Sequence, residues 1–398
     1  MQLCFFSDQI AKNFLPLTLT RPVFDLRVGV LTIREKWEHY LGIKFISGIY
    51  EEYLYSVFKS NPIKEDEDCI WINSRFLPSD NLMNSIKALE PNQALSKGGK
   101  IIAAKISGTV SALLFENRAF NVDDLKKKEI DLELKSISFF WDLLSLNGDE
   151  ITSDLKFFDY KPVSAIHLNG ESIFKNTNNI FIADNAIIEP GCIIMAEKGP
   201  VFIGSNAIIE AGSILKGPVA ICEGSTVKIR ARIYDNTTIG PVCKVGGEVS
   251  NSIFHSYSNK SHDGFTGSSL VGQWCNFGAD SNTSNLKNSY GEVKIFDWTT
   301  KTEYEKGFQF FGTILGDHSK TAIDTVLNTG TTCGVCSNIF SLGFPPRYIP
   351  SFSWMGQKET TKYNFDKAII AMSAMMKRRG IELSDEYKQM MKVIAESS

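Results

Sequence analysis

A six-residue repeat in the middle of the chain restricts the fold more than any other feature of the sequence. Read in blocks of six from Val201, the third position is aliphatic in eight consecutive blocks, at Ile203, Ile209, Leu215, Ile221, Val227, Ile233, Ile239 and Val245. The same spacing precedes these blocks, and it returns from Leu315 to Ile339 after a disturbed stretch. A period of six matches neither the period of an α-helix nor the alternation of a long strand.

This period fits a short strand followed by a tight turn. Residues that tolerate a positive φ lie at the block ends, at Gly204, Asn206, Gly212, Gly224 and Asn236. Three blocks form one coil of triangular section, in which the aliphatic residues point inward and stack on those of neighbouring coils. An antiparallel meander of short strands gives no reason for a strict period of six. The sequence therefore predicts a left-handed parallel β-helix of hexapeptide repeats.

The composition excludes several classes of protein. The 398 residues carry 42 Lys and Arg against 45 Asp and Glu, a net charge of -3, which argues against a nucleic-acid binder or a polybasic membrane anchor. No apolar run is long enough to span a membrane, and the first residues lack the pattern of a signal peptide. Eight scattered cysteines are typical of a reduced, cytoplasmic protein. The lone Cys333-Gly-Val-Cys336 lacks the second pair of a zinc ribbon, so no metal site is expected.

His262 is the residue of the repeat region best suited to acid–base chemistry. Proteins with hexapeptide repeats are most often acyltransferases, and transfer to an amine or hydroxyl needs a base that works near neutral pH. The chain has 5 histidines, and His262 lies where the six-residue period is broken. A long polar excursion, residues 282–311, follows it, and such excursions from a tight coil are often functional. The alternative is that His262 is an ordinary surface histidine of the coil.

Residues 261–285 read SHDGFTGSSLVGQWCNFGADSNTSN. This segment resembles the acetyltransferase domain of the bifunctional N-acetylglucosamine-1-phosphate uridyltransferase/glucosamine-1-phosphate acetyltransferase family. The family pattern is H-x-x-Y-x-G-x-x-x-x-G-x-x-x-N-x-G-A-G-x-x-x-x-N, and the match needs no gap from Arg232 to Asn285. The resemblance implies that His262 is the catalytic base and that Asn285 lies beside the acyl-transfer centre.

The same resemblance assigns the substrate-binding residues. Arg232, with Arg230 nearby, falls on an arginine that binds the sugar phosphate, and Asn276 falls on an asparagine that contacts the sugar. Phe265 replaces the tyrosine of the family and lacks its hydroxyl. Ser250 replaces a family lysine, and the lysine of the following loop has no aligned counterpart. The alternative for both arginines is a solvated outer face of the coil.

The cosubstrate and the assembly are also implied by the resemblance. Acetyl-CoA is the expected acyl donor, with its pantetheine arm along the coils of residues 312–339. A homotrimer is expected, in which a neighbouring subunit completes each site.

Residues 1–160 lack the six-residue period and mix strands with helices, which predicts an α/β domain. The segment Pro16-Leu-Thr-Leu-Thr-Arg-Pro22 resembles part of the opening motif of sugar nucleotidyltransferases. The glycines of that motif let backbone amides approach nucleotide phosphates, and Gln9 and Ala11 replace them here. Arg75 stands where the family has a metal-binding aspartate, and a cation does not ligate Mg²⁺.

These replacements indicate a degenerate domain that is structural or binds a sugar nucleotide. The alternative is a divergent, active nucleotidyltransferase, which would use Mg²⁺. Arg21, Arg27 and Arg34 are candidates for a phosphate site in this domain. Ion pairing within the domain, with Asp25 as one partner, explains the same arginines equally well.

The sequence predicts three domains. Residues 1–165 form the nucleotidyltransferase-like domain, residues 166–345 the β-helix, and residues 346–398 a helical extension that Gly380 divides and in which Ser384 caps the second helix. The expected function is acetyl-CoA-dependent N-acetylation of an amino-sugar phosphate or amino-sugar nucleotide, in nucleotide-sugar and cell-envelope biosynthesis. Nucleotidyl transfer by residues 1–165 and a non-catalytic scaffold are the alternatives.

Overall fold

The computed structural model describes residues 1–122, 124–160, 163, 170–305, 307–356 and 359–398. The chain divides into two compact units. Unit 1 comprises Met1–Phe14, Arg21–Leu26 and Leu31–Asp142, and unit 2 comprises Leu15–Thr20, Arg27–Val30 and Leu143–Ser398. The predicted domain boundary between residues 165 and 166 lies outside the described residues.

Unit 1 contains an α/β fold, as predicted. Its described strands are β1 (Gln2–Phe6), β2 (Phe45–Ile49), β3 (Cys69–Asn73), β4 (Gln93–Lys97), β5 (Lys100–Ile106) and β6 (Lys126–Glu129). They form one sheet in the order β2-β1-β3-β5-β4-β6, in which β1 is parallel to both its neighbours and β5 is antiparallel to both of its own. Its helices are α1 (Ile33–Leu41), α2 (Asp80–Lys87) and α3 (Gly108–Glu116), and the next helix, α4 (Phe140–Asp154), begins in unit 1 and continues into unit 2.

Local sequence explains where helix α1 begins and ends. Thr32 and Glu35 form a reciprocal capping box at its first turn. Their side chains accept hydrogen bonds from two backbone amides that have no acceptor within the helix. Gly42 ends the helix with a φ of 69°, a conformation that costs glycine little. Trp37 points into the core and donates its indole N–H to the carbonyl of Phe76 at 2.9 Å.

Unit 2 contains the predicted parallel β-helix. One described face is a sheet of β8 (Ile180–Ile182), β11 (Val201–Ile203), β14 (Val219–Ile221), β17 (Thr237–Ile239), β20 (Ile253–Ser256), β23 (Leu270–Gln273), β27 (Thr313–Leu315), β30 (Thr331–Cys333) and β32 (Tyr348–Ile349). The second face contains β7 (Ile173–Lys175), β10 (Ile193–Met195), β13 (Ile214–Lys216), β16 (Arg232–Ile233), β19 (Glu248–Ser250), β22 (Phe265–Gly267), β24 (Asn282–Thr283) and β29 (Val326–Leu327).

The third face is divided between two sheets. Its first part contains β9 (Ile187–Ile188), β12 (Ile208–Ile209), β15 (Thr226–Val227), β18 (Lys244–Val245) and β21 (Asn259–Lys260). Its second part contains β28 (Lys320–Thr321), β31 (Asn338–Ile339), β33 (Ser353–Met355) and the antiparallel strand β34 (Thr360–Lys362). Asn276 bridges the two parts, since it pairs with both Asn259 and Lys320.

The aliphatic repeat forms the core of the coil. Residues six apart lie on successive faces, and residues one coil apart stack, as in the pairs Ile203–Ile221 and Ile221–Ile239. The repeated positions are fully buried, whereas Asn206 and Asn236 take a positive φ at the turns. The fold prediction from the six-residue period is therefore confirmed.

The coil extends further than the sequence indicates. Its predicted end was residue 345, but Cys333 pairs in parallel with Ile349 and Ile339 pairs with Met355. The two prolines at 345 and 346 interrupt the chain, and the strand pairing resumes after them. The period is hidden here because the inward positions of this last coil, Ile349 and Met355, follow a shorter, proline-containing segment.

Two helices follow the coil, α5 (Phe365–Lys377) and α6 (Asp385–Glu396). Ser384 caps α6 by accepting the amide of Tyr387 at 3.1 Å, as predicted. The hydroxyl of Tyr387 lies 3.0 Å from Nε2 of the buried His318, which holds α6 against the coil. None of the helices within the described ranges is long and apolar enough to cross a membrane.

The excursion after Asn285 contains an antiparallel hairpin of β25 (Lys294–Phe296) and β26 (Glu303–Glu305). Phe296 stacks on Tyr348 with ring centroids 4.3 Å apart, and the ammonium of Lys301 lies 4.5 Å from the same ring. These contacts order the hairpin against the last coil.

Candidate functional site

An open cleft of about 470 Å³ lies on the second face of the coil. Strand register produces it, because Arg232 pairs with Glu248 and Glu248 with Phe265, one coil after another. The backbone amide of Phe265 donates to Oδ1 of Asn282 at 2.8 Å, which adds the next coil to the column. The cleft is lined by Arg232, Glu248, Asp263, Gly264, Phe265 and Asn282.

His262 lies at the corner between β21 and β22, immediately before the first lining residue of that stretch, Asp263. Its side chain is exposed, while its backbone carbonyl accepts a hydrogen bond of 2.9 Å from the ammonium of Lys260. The imidazole is therefore accessible from solvent beside the cleft, and His262 itself is not among the residues that line it. Such accessibility is compatible with a general base, which must reach the proton that it removes.

Asn285 and Phe265 meet above Gly267. A Cβ atom on Gly267 would lie 2.7 Å from Nδ2 of Asn285 and 2.4 Å from Cζ of Phe265, so only glycine leaves room for both side chains. The amide of Asn285 also lies 3.4 Å from Oγ of the buried Ser268. The structure therefore brings together two of the residues that the sequence selects. Phe265 belongs to the described lining of the cleft, whereas Asn285 does not and contacts the site through Phe265.

The two candidate phosphate-binding arginines are both exposed, but they differ in their surroundings. Nε of Arg232 lies 3.3 Å from Oε2 of Glu248 inside the cleft. Arg230 lies on a turn with a φ of 57° and is absent from the described lining of the cleft. The cleft therefore contains one arginine and two carboxylates, Glu248 and Asp263, an electrostatic balance that does not by itself attract a phosphate.

Asn276 lies on a different face of the coil. Its Oδ1 accepts from Nδ2 of Asn259 at 2.8 Å, in the bridge between the two parts of the third face. The structure does not bring it into the described lining of the cleft. Its observed contact is an asparagine ladder that stabilises neighbouring coils.

The three arginines selected in the N-terminal region make structural contacts. Arg34 pairs with Asp25 at 3.3 Å and Arg21 is buried, both in unit 1. Arg27 belongs to unit 2, where Nε donates to the carbonyl of His255 at 3.0 Å and Nη1 donates to that of Val30. The ion-pairing alternative is thus observed for Arg34, whereas the contacts of Arg27 are with backbone carbonyls.

Unit 1 has a cleft of its own, of about 470 Å³, at the ends of β1 and β3. Asp8 accepts from Nε of Arg75 at 2.8 Å and from Nδ2 of Asn73 at 3.0 Å. Arg75 thus pairs with a carboxylate at the point where the family places a metal ligand, and this donor set does not fit Mg²⁺. Across the described part of the chain, no group of three or more His, Cys, Asp or Glu side chains is arranged to hold a metal ion.

Sequence reasoning missed Glu248, Asn282 and Lys260 at the C-terminal site. Glu248 and Asn282 are adjacent to Phe265 only through the stacking of coils, whereas Lys260 is near His262 in sequence but its inward position is hidden by a change in coil length. If the sequence is aligned coil by coil with a coil of fifteen residues after Val245, Lys260 falls opposite Val245 at an inward position.

Three kinds of comparison place the chain among known proteins. Residues 3–161 match the family model described as "Sugar nucleotidyl transferase". The chain is 32% identical over 197 residues to "Bifunctional protein GlmU" of Methanocaldococcus jannaschii, a match that covers 49% of this chain and 40% of that protein. It is 28% identical over 273 residues to the GlmU protein of Methanococcus maripaludis, covering 69% of this chain and 56% of that one. The chain thus spans about half the length of these relatives.

Solved structures with a similar chain path are distant. The UDP-N-acetylglucosamine acyltransferase from Campylobacter jejuni is 15% identical with a TM-score of 0.23, over 55% of this chain and 92% of that one. AntD, an N-acyltransferase from Bacillus cereus solved with dTDP and coenzyme A, is 14% identical with a TM-score of 0.22, over 56% of this chain and 100% of its own. At these TM-scores the two structures carry no argument about function. In sequence, residues 3–161 are thus similar to the sugar nucleotidyl transferase family, and the chain is similar to GlmU proteins over part of its length.

Proposed function

We propose that this chain is an N-acyltransferase that moves an acetyl group from acetyl-CoA to the amine of an amino-sugar phosphate or amino-sugar nucleotide. The observation that carries the proposal is the exposed His262 beside a cleft, at the break in the repeat, with Asn285 and Phe265 converging on the same wall. The similarity to GlmU proteins supports the amino-sugar class of acceptor. Such a reaction belongs to cytoplasmic nucleotide-sugar and cell-envelope biosynthesis.

The proposed chemistry follows from the positions of these side chains. The acceptor amine attacks the thioester carbonyl, and His262 removes the proton that the amine loses as the C–N bond forms. The C–S bond then breaks, and CoA leaves as the thiol after taking a proton from the imidazolium. A hydrogen bond from Nδ2 of Asn285 stabilises the oxyanion of the tetrahedral intermediate.

A neighbouring subunit is part of this proposal. The cleft of one chain contains Glu248 and Asp263 beside Arg232, so a phosphate needs further positive charge or displacement of the Arg232–Glu248 pair. In a homotrimer, basic residues of the next subunit supply that charge beside the cleft, and the Arg230 side chain of that subunit is one candidate. The acyl donor then lies along the coils of residues 312–339.

The first test is release of free CoA thiol from acetyl-CoA with glucosamine-1-phosphate as acceptor. Loss of the base in His262→Ala is expected to lower the rate by about 10²–10⁴-fold. His39→Ala is the matched control, because His39 is an exposed histidine of α1 in unit 1. The control should retain the wild-type rate.

Two results would contradict the proposal. Equal rates for His262→Ala and wild type would remove His262 as the base. No turnover by the wild type with glucosamine-1-phosphate or with any UDP-linked or dTDP-linked amino sugar would favour the scaffold instead.

The second candidate function is sugar-1-phosphate nucleotidyl transfer by residues 1–165, which the family-model match over residues 3–161 favours. The contact between Arg75 and Asp8 argues against a divalent cation bound at the end of β3. Pyrophosphate release from nucleoside triphosphates and sugar-1-phosphates, with and without Mg²⁺, decides between the two functions. Mg²⁺-dependent release by the His262→Ala variant would assign this activity to the N-terminal region.

A further inference from the structure

Lys260 lies in the core of the coil, at a position where the repeat places aliphatic residues. It pairs in register with Val245, and Val245 pairs with Val227, both of which are fully buried and point inward. Only 1% of the surface of Lys260 is exposed. A methionine or leucine would fill this position with apolar contacts alone.

The ammonium of Lys260 has three hydrogen-bond acceptors, and all of them are backbone carbonyls. It donates to His262 at 2.9 Å, to Asp263 at 3.2 Å and to Gly246 at 3.3 Å. Three donors meet three acceptors, so the charged form is fully satisfied. Two of those acceptors belong to the turn that carries His262, and the third belongs to the preceding coil.

Burial makes this arrangement unfavourable for folding. Desolvation lowers the pKa of Lys260 to about 8, against the weaker opposing effect of the Asp263 and Asp280 carboxylates. Among the described ion pairs, none joins the ammonium of Lys260 to a carboxylate. A buried cation that lowers the stability of the coil, and that bonds the turn before the cleft, points to a role in the site rather than in the core.

We propose that Lys260 is a positioning residue for His262, whose turn it anchors from inside the coil through the carbonyls of His262, Asp263 and Gly246. The anchor fixes the backbone that carries the exposed imidazole, immediately before the lining residue Asp263. Its effect on the reaction rests on the proposed role of His262, but the anchoring itself does not.

Lys260→Met tests the proposal, because methionine fills the same space without donors. Lys244→Met is the matched control, since Lys244 lies on the preceding coil of the same face with its side chain exposed. The readouts are the melting temperature, kcat and KM in the CoA-release assay, and the ring signals of His262 in ¹³C/¹⁵N-histidine NMR spectra. With 5 histidines in the chain, the spectrum of His262→Ala assigns the His262 signal.

The expected result is a Lys260→Met protein that melts at or above the wild-type temperature. Its kcat falls at least tenfold with less than a threefold change in KM, and its His262 signal shifts or broadens. Lys244→Met changes none of these. A Lys260→Met protein that is unfolded, or that keeps the wild-type kcat and His262 signal, overturns the proposal and makes Lys260 a core residue only.

The wild-type protein supplies a measurement that needs no variant. The His262 ring signals should show an inflection near pH 8, where Lys260 loses its proton, and that inflection should be absent in Lys260→Met. The carboxylates that act on the ammonium, Asp263 and Asp280, are present in both proteins. If the wild type has no turnover, the proposed function fails, yet the two NMR experiments still decide whether Lys260 anchors the turn.

Discussion

At the scale of single residues, the space above Gly267 decides how the candidate site is built. The ring of Phe265 and the amide of Asn285 both occupy the place of a side chain at this position. The family tyrosine is a phenylalanine here, so the ring contributes shape to the cleft wall without a hydroxyl. Asn285 is therefore the residue of this pair that supplies a polar group.

Gly267→Ala should lower the rate of CoA release more than the addition of a single methyl group suggests. The added methyl must displace Cζ of Phe265 or Nδ2 of Asn285, which would lie 2.4 and 2.7 Å from it, and overpacking of this kind costs about 1–3 kcal/mol. We expect a kcat at least tenfold lower and a lower melting temperature, measured by the CoA-release assay and thermal unfolding. Gly291→Ala is the control, because the nearest atom to its added Cβ is the Ser289 hydroxyl at an ordinary 3.5 Å. Wild-type activity in Gly267→Ala would mean that the two side chains do not act together.

At the scale of elements, side chains that point into the coil stabilise it, whereas positions that face outward tolerate substitution. Ile233 is fully buried and stacks between Leu215 and Val249 on the second face. Ile229, on the turn before the same strand, is 62% exposed. Identical residue types four positions apart in one coil therefore differ only in their surroundings.

Ile233→Ala should destabilise unit 2 by about 2–5 kcal/mol, because it removes buried methyl groups and leaves a cavity between two coils. Ile229→Ala should change the free energy of unfolding by less than about 0.5 kcal/mol. Guanidinium unfolding of both variants provides the comparison. Equal effects would show that the coil interior is not the source of its stability.

The sequence predicts the coil well where its period is regular and poorly where the period changes. From Val227 to Val245 one coil takes eighteen residues, but from Val245 to Lys260 it takes fifteen. A search at fixed spacing therefore misses Lys260 as an inward residue. Glu248 and Asn282 were missed for the same reason, since their approach to Phe265 depends on register between coils of unequal length.

The candidate site residues that the resemblance implies lie in different parts of the structure, for physical reasons. Phe265 lies two residues before Gly267 and Asn285 lies on the following coil, so the two meet because glycine leaves space between the coils. Asn276 lies on the third face, where it pairs with Asn259 and Lys320. Arg27 contacts backbone carbonyls of unit 2, which no pattern in its neighbouring residues indicates.

At the scale of the whole molecule, the cysteine thiols share one property, which is burial away from solvent. All eight cysteines are free and buried. Burial raises the pKa of Cys243, Cys333 and Cys336 to about 12, so the lone Cys333-Gly-Val-Cys336 pair offers no thiolate for metal or redox chemistry. The native protein therefore holds protons that the unfolded chain loses at lower pH.

This difference predicts alkaline destabilisation. Unfolded thiols ionise from about pH 8.5, whereas the buried ones stay protonated, so the free energy of unfolding is unaffected below that pH and falls above it. Each such thiol contributes about 1.4 kcal/mol per pH unit. Desolvation also lowers the pKa of three lysines, which act in the opposite direction, namely Lys244, Lys260 and Lys320. The thiols whose pKa burial raises are more numerous, namely Cys192, Cys243, Cys275, Cys333 and Cys336.

Guanidinium unfolding at pH 7.5, 9 and 10, with reductant present, measures the effect. The wild type should lose stability over this range, and Cys243→Ala should lose less because it has one buried thiol fewer. A constant free energy of unfolding from pH 7.5 to 10 would contradict the prediction.

The hairpin excursion leaves the coil beneath it undisturbed. Val271 stacks on Leu315 and Thr283 on Leu327, in the same register as coils joined directly. The chain leaves the coil after Asn285 and rejoins it at Gly312. There the backbone amide of Gly312 donates to the carbonyl of Ser268, on the preceding coil, at 2.9 Å. The coil therefore keeps its strand register across the excursion, and we expect loops of other lengths grafted between these two points to leave that register unchanged.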